Sequence, residues 1–251
     1  MRILYDNEAL NATITGSPEN PSYLFSDAFN DYRLARKGRS VGCGEVTVLH
    51  TFTTATDVDY VFIIGHNITA SATVTIQGND TNVWTAPAVE ETMLIVGDGL
   101  YYEFSTTESY QYWRIVVNDA TNPDGYVEIS TTYLGGFLEL AKMEPGVKLP
   151  QKTNAIVTET EGMQVFGSIK KKYIEARVSF PLIDDDTKTL VEAFFNSNDI
   201  VIPFICIIWE DDLDTEVPFY ARLLKPPNWE KKKTVNTILY WEMDLQIRQT
   251  F

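Results

Sequence analysis

At 251 residues and 28.5 kDa the chain is long for a single hydrophobic core, and two compact units of about 100–150 residues are expected. Its 20 Lys and Arg against 35 Asp and Glu give a net charge of −15, a balance that repels phosphate backbones and argues against nucleic-acid binding. Only Cys43 and Cys206 are present, which is no disulfide framework, and both read as free thiols.

The opening MRILYDNEAL lacks the apolar run of about 7–15 residues that a secretory leader needs, and no stretch approaches about 18 consecutive apolar residues. Neither a leader nor a membrane span is expected. Residues 1–141 carry 6 basic and 18 acidic side chains, against 14 and 17 in residues 142–251, so the first unit holds most of the acidity. Four of its basic residues, Arg33, Arg36, Lys37 and Arg39, crowd into one short segment. That segment is a candidate contact site, or else self-compensating charge on an acidic unit.

The rest of the first unit reads as short β segments separated by turn chemistry. DVDYVFIIGHN is an apolar run of strand length ended by Gly65 and Asn67. SATVTIQGND alternates Val74 and Ile76 with Thr73, Thr75 and Gln77, and apolar enrichment returns at Met93 to Val96. GDG at Gly97 to Gly99 and NPDG at Asn122 to Gly125 are hairpin signals, the second joining YWRIVVND to YVEISTTYLGGF. Many strands at short spacing, with no long helix, predict an N-terminal antiparallel β-sandwich or jelly roll over 1–141.

Pro145, Gly146 and Pro150 break the pattern, and a linker is expected over 142–152. Residues 153–251 then read as a smaller β-rich assembly domain with one packed α-helix. Asp184, Asp185 and Asp186 precede TKTLVEAFFNSN, where Leu190, Val191, Phe194 and Phe195 are expected to share one buried face. The basic triplets Lys170, Lys171, Lys172 and Lys231, Lys232, Lys233, with the acidic run Asp184 to Asp186, are candidate assembly charges for an oligomeric ring, or solvated loop tips.

Signals for catalysis are missing. Only His50 and His66 are available as bases, no serine sits in a nucleophile-elbow motif, and no zinc, EF-hand or phosphate-loop spacing occurs. His66, after a buried run, reads as a turn residue satisfied by backbone. Asp57 with Asp59 is too small a set to complete a calcium cage alone, and EDDLDTE at Glu210 to Glu216 reads as a charged loop between strands. No enzyme, metal or cofactor is expected. Trp84, Tyr101 and Tyr102 are candidate ligand aromatics for sugar stacking, with core packing as the alternative.

The succession ILYDNEALNATITGS, PSYLFSDAFNDYRLARKGRSVG, VDYVFIIGHNITASATVTIQGND, YWRIVVND and GYVEISTTYLGG resembles the galactose-binding-like, discoidin-type sandwich found in tail proteins of tailed bacteriophages. PFICIIWED, VPFYARLLKPPNWE and the closing YWEMDLQIRQ are similar to minor and distal tail components. The resemblance implies a structural tail protein of a virion that forms an oligomeric ring or collar with itself and contacts other tail proteins. A carbohydrate-binding adhesin that recognises a host surface glycan is the alternative, and a glycoside hydrolase with a dispersed acid pair is a third.

Overall fold

The computed structural model describes residues 1–30, 32–96, 99–140, 150–153, 156–159, 165–168, 172–208, 218–231 and 240–250. Lys170, Lys171, Lys232, Lys233, the Glu210 to Glu216 run and residues 142–149 of the expected linker lie outside them. The fold is mainly β with antiparallel ladders, in two compact units. One is built on Arg2–Leu138, the other on Glu139–Ile205 and Phe219–Thr250.

The first unit runs β1 (Arg2–Leu4), β2 (Thr13–Ser17), α1 (Phe25–Phe29), β3 (Gly38–Arg39), β4 (Glu45–Ile64), β5 (Thr73–Asn79), β6 (Val89–Thr92), β7 (Leu94–Val96), β8 (Gly99–Asn118), β9 (Glu128–Ile129), β10 (Thr131–Gly135) and β11 (Leu138–Glu139). β4 and β8, 20 residues each, pair with one another along their lengths. The two halves of this ribbon have different neighbours. The first half of β4 and the second half of β8 are flanked by β2 on one side and β5 then β6 on the other. The second half of β4 and the first half of β8 are flanked by β10 and β7.

The ladder shifts register between Thr51 and Thr56 and again between Val58 and Tyr60. A one-residue slip in a strand exchanges its two faces, and the burial pattern records it. Val46, Val48 and Phe52 point inward at even positions, whereas Val61 and Ile63 do so at odd ones. Both halves therefore aim their apolar side chains into one core, with Val74 and Ile76 of β5, Leu100, Trp113, Ile115 and Val117 of β8, and Leu134 of β10. Gly78 lies opposite Trp113, and a Cβ there would meet Tyr110 Cδ2 at 2.5 Å and Val89 Cγ1 at 2.9 Å, so only glycine fits under the indole.

Two hairpin expectations part company. Val96 pairs with Gly99, so β7 and β8 form the tight hairpin that GDG implies. NPDG does turn, with Gly125 at φ +73° and its N–H donating to the Asn122 carbonyl at 3.0 Å, but the strands it joins do not pair. β9 pairs with β3 and β10 with β4, because β8 already has a partner on each side.

The second unit contains β12 (Gln151–Thr153), β13 (Ile156–Glu159), β14 (Val165–Ser168), β15 (Lys172–Ile183), α2 (Asp185–Asn198), β16 (Phe204–Ile207), β17 (Phe219–Leu223), β18 (Asn228–Lys231) and β19 (Trp241–Gln249). Its sheet runs β16, β17, β19, β15, β12, with β18 also pairing β19, and β13 and β14 form a separate hairpin. Ala176, Val178 and Phe180 of β15 and Met243, Leu245 and Ile247 of β19 alternate into its core. α2 begins where the acidic run predicts: the Asp184 carboxylate accepts the Thr187 N–H at 2.8 Å. Its buried face differs from the expected one. Val191, Phe194 and Asn198 face inward, with Phe194 edge-to-face on Phe204, whereas Phe195 is half-buried and Leu190 is 53% exposed.

Candidate functional site

With Trp113 and Ile115 in the core, alternation sends Arg114 to the outer face of the β2-β4-β8-β5-β6 layer. The register sets Arg114 opposite Leu49 on one side and Gln77 on the other, with Glu90 beyond Gln77. Arg114 Nε and Nη2 donate to Gln77 Oε1 at 2.8 and 2.5 Å. Partial burial lowers the pKa of Arg114 while Glu45 and Glu90 oppose that shift, and a guanidinium remains protonated at neutral pH regardless.

The loop between β5 and β6 folds back over this arginine. Asn79 builds the turn, its Nδ2 donating to the Val83 carbonyl at 2.7 Å and its Oδ1 accepting the Asp80 N–H at 2.9 Å. The Ala88 N–H closes the loop on the Gly78 carbonyl at 3.0 Å. Trp84 is thereby laid over Arg114, the guanidinium carbon 4.4 Å from the ring centre, and its Nε1 donates to Asn82 Oδ1 at 2.7 Å. One ring face is covered by a cation and the indole N–H is committed, yet the residue stays half-buried. The result is a rigid aromatic plate set among planar hydrogen-bonding groups, with Tyr112 two residues from Arg114 on the same strand face.

A second aromatic and arginine cluster occupies the β3-β9 pair. Arg39 lies opposite Glu128 and is sandwiched between Tyr23 and Tyr126, 4.5 and 4.1 Å from the two ring centres. Its Nε donates to Glu128 Oε1 at 2.9 Å, its Nη2 also reaches that carboxylate, and Lys37 Nζ donates to Glu128 Oε2 at 3.3 Å. The hydrogen bond to Glu128 raises the pKa of Arg39 against the opposing effect of desolvation. The basic segment thus divides. Lys37 and Arg39 share the one Glu128 carboxylate, while Arg33 and Arg36 are exposed.

The three candidate aromatics do not converge. Tyr101 is 2% exposed and stacks on Tyr60, so its ring belongs to packing rather than to a ligand surface. Tyr102 packs edge-on against Phe104 at 4.9 Å beside the core. Trp84 alone of the three stands on an outer face. Arg114, Gln77 and Asn82, its supports, are not among the candidates read from the sequence. The alternation of YWRIVV carries the relevant signal, since an arginine between Trp113 and Ile115 must face away from them.

The remaining candidates have local duties. Asp184 caps α2, Asp185 accepts from Trp241 Nε1 at 2.7 Å, and Asp186 stays exposed. Lys172 and Lys231 are exposed on β15 and β18. His66 Nδ1 accepts the Ile68 N–H at 3.1 Å, a turn role. His50 lies fully buried within β4, Nε2 3.0 Å from Thr132 Oγ1. Asp59 accepts from Thr107 Oγ1 at 2.5 Å, and among the described residues no three His, Cys, Asp or Glu side chains are placed to hold a metal ion. Cys43 and Cys206 are free thiols.

No family model matches the chain, and no curated protein matches it. Solved structures similar to about half of it include the family 32 carbohydrate-binding module of NanJ from C. perfringens in complex with galactose, at 12% identity and a TM-score of 0.41, covering 53% of this chain and 98% of that one. A chitosan-binding module from a chitosanase/glucanase of Paenibacillus sp. IK-5 is similar at 20% identity and 0.41, covering 52% and 98%. A Ruminococcus gnavus family 29 fucosidase in complex with fucose is similar at 16% and 0.42, and the matched part spans 27% of that chain.

Proposed function

We infer that the first unit is a non-catalytic carbohydrate-binding sandwich and that the Trp84 surface holds the sugar. One observation carries this: a half-buried tryptophan on an outer face, fixed from below by Arg114 and at its edge by Asn82, so that little side-chain freedom is lost when a ring stacks on it. The apolar face of a pyranose fits such a plate, and planar amides and hydroxyls beside it address equatorial hydroxyl groups. Carbohydrate is also the ligand class named for the similar modules, but Trp84 alone supports the assignment. Binding rather than catalysis agrees with His50 and His66 both serving structural roles.

A glycan array probed with the full chain is expected to give saturable binding. Trp84→Ala is expected to weaken it by about 30-fold, the loss of about 2 kcal/mol usual for an aromatic anchor, with the thermal midpoint unchanged. Array-wide silence, or a Trp84→Ala protein that binds as well as the parent, overturns the assignment.

A structural role in a phage tail is the second reading, supported by the order of the sequence segments quoted for residues 1–141 and by the β-rich unit that follows. On that reading residues 153–251 form an oligomeric collar and the chain resides in the virion. Electron microscopy of the purified protein is expected to show rings; a monodisperse monomer that also fails to bind tail components contradicts it.

A further inference from the structure

The second unit carries a surface cavity of about 440 Å³ over the β15-β19 ladder, a volume within the usual range for small-molecule sites. Its floor is set by strand register, with Arg177 opposite Gln246 and Asp244 opposite Asn228. Its wall is Pro226 and Pro227, whose ring-fixed φ angles make a stiff edge between Lys225 and Asn228.

The acceptors and donors here are not balanced. The Asp244 carboxylate is committed, taking hydrogen bonds from Ser179 Oγ and Arg177 Nη2. Burial pushes its pKa up, but those two donors and the guanidinium charge together hold it below the ordinary carboxylate value, so it stays ionised and matched. Arg177 remains 65% exposed and gives only Nη2 to that pair. The side chains of Lys225, Asn228 and Gln246 make no hydrogen bond or ion pair among the described residues. Among the described residues one positive charge of the lining is therefore in surplus, with a guanidinium edge and two amides uncommitted around the same hollow.

A neighbouring cavity of about 310 Å³ shares Pro226 and Pro227 but has Glu192, Phe195 and Trp229 in its lining. Its one carboxylate, Glu192, is already paired with Lys188, so this side of the proline ridge has no surplus positive charge of the kind found on the other. We propose that the Lys225 and Arg177 side binds the carboxylate of a small ligand, with the Asn228 and Gln246 amides addressing flanking hydroxyl or amide groups. The site is separate from Trp84 and stands or falls independently of sugar binding there.

Two sources share this chemistry, a sugar acid and a peptide C-terminus, and probes can separate them. The full chain, labelled with ¹⁵N, is titrated with glucuronate, with glucose, with N-acetyl-Gly-Ala and with N-acetyl-Gly-Ala-amide. The Asn228 and Gln246 side-chain amide signals are expected to shift saturably with one or both acids and not with their neutral counterparts. Lys225→Gln, on an exposed loop, is expected to weaken binding about tenfold, and raised salt to weaken it further. Arg177→Gln should act likewise; if that variant unfolds, Lys225→Gln alone decides. Equal shifts from acid and neutral probe, no shift from either acid, or an unaffected Lys225→Gln protein overturns the proposal.

Discussion

His50 lies on the core face of β4 with its ring stacked on Phe29, and burial alone holds its pKa at about 3. An unfolded histidine titrates near 6.5, so between those values the unfolded chain binds a proton that the folded chain refuses. The stabilisation from keeping His50 neutral is complete above pH 6.5 and declines as pH falls toward 3, at up to about 1.4 kcal/mol per pH unit. Urea titrations at pH 7 and pH 5 are expected to show a smaller difference between the two pH values in His50→Gln than in the parent. Identical differences would assign the acid sensitivity elsewhere. Gly78 makes a steric case of the same kind. Gly78→Ala forces a methyl against the Tyr110 ring and Val89, and a loss of about 1–3 kcal/mol in chemical unfolding is expected, the usual cost of overpacking.

Within α2, capping and packing can be tested apart. Asp184→Ala removes the acceptor for the Thr187 N–H and is expected to cost about 1 kcal/mol. Phe194→Ala, which empties a fully buried site against Phe204, is expected to cost about 3–5 kcal/mol, and Leu190→Lys less than about 0.5 kcal/mol. Thermal melts that rank Leu190 with Phe194 would restore the broader face read from the sequence. The helix start was legible because three aspartates before an apolar period have one common explanation. The buried face was not, since four apolar residues at i, i+1, i+4 and i+5 span a wider arc than one neighbouring ridge can cover. β4 and β8 were hidden for another reason. Their middles, around Thr53 to Asp57 and Ser105 to Ser109, are polar and largely exposed, so each strand reads as two. The Trp84 plate depends on a cross-sheet neighbour, Arg114, 30 residues later in the chain, and local pattern does not report such pairs.

Across the whole molecule, charge is the property read most directly from composition. A net charge of −15 at pH 7 falls to zero near the sequence pI of about 4.5, within the window where His50 is withdrawing its support. Turbidity at low ionic strength is expected to peak near pH 4.5, and His50→Gln to leave the position of that peak unchanged because it belongs to the surface. A peak that moves with the substitution would tie precipitation to unfolding instead. The sandwich is also built so that its layers have two strands in common. Opening one half of the β4–β8 ribbon alone would leave both strands half paired and half free. Hydrogen–deuterium exchange should therefore find the amides of Val46 to Val48 and of Val61 to Ile63, at opposite ends of one strand, released in the same cooperative event.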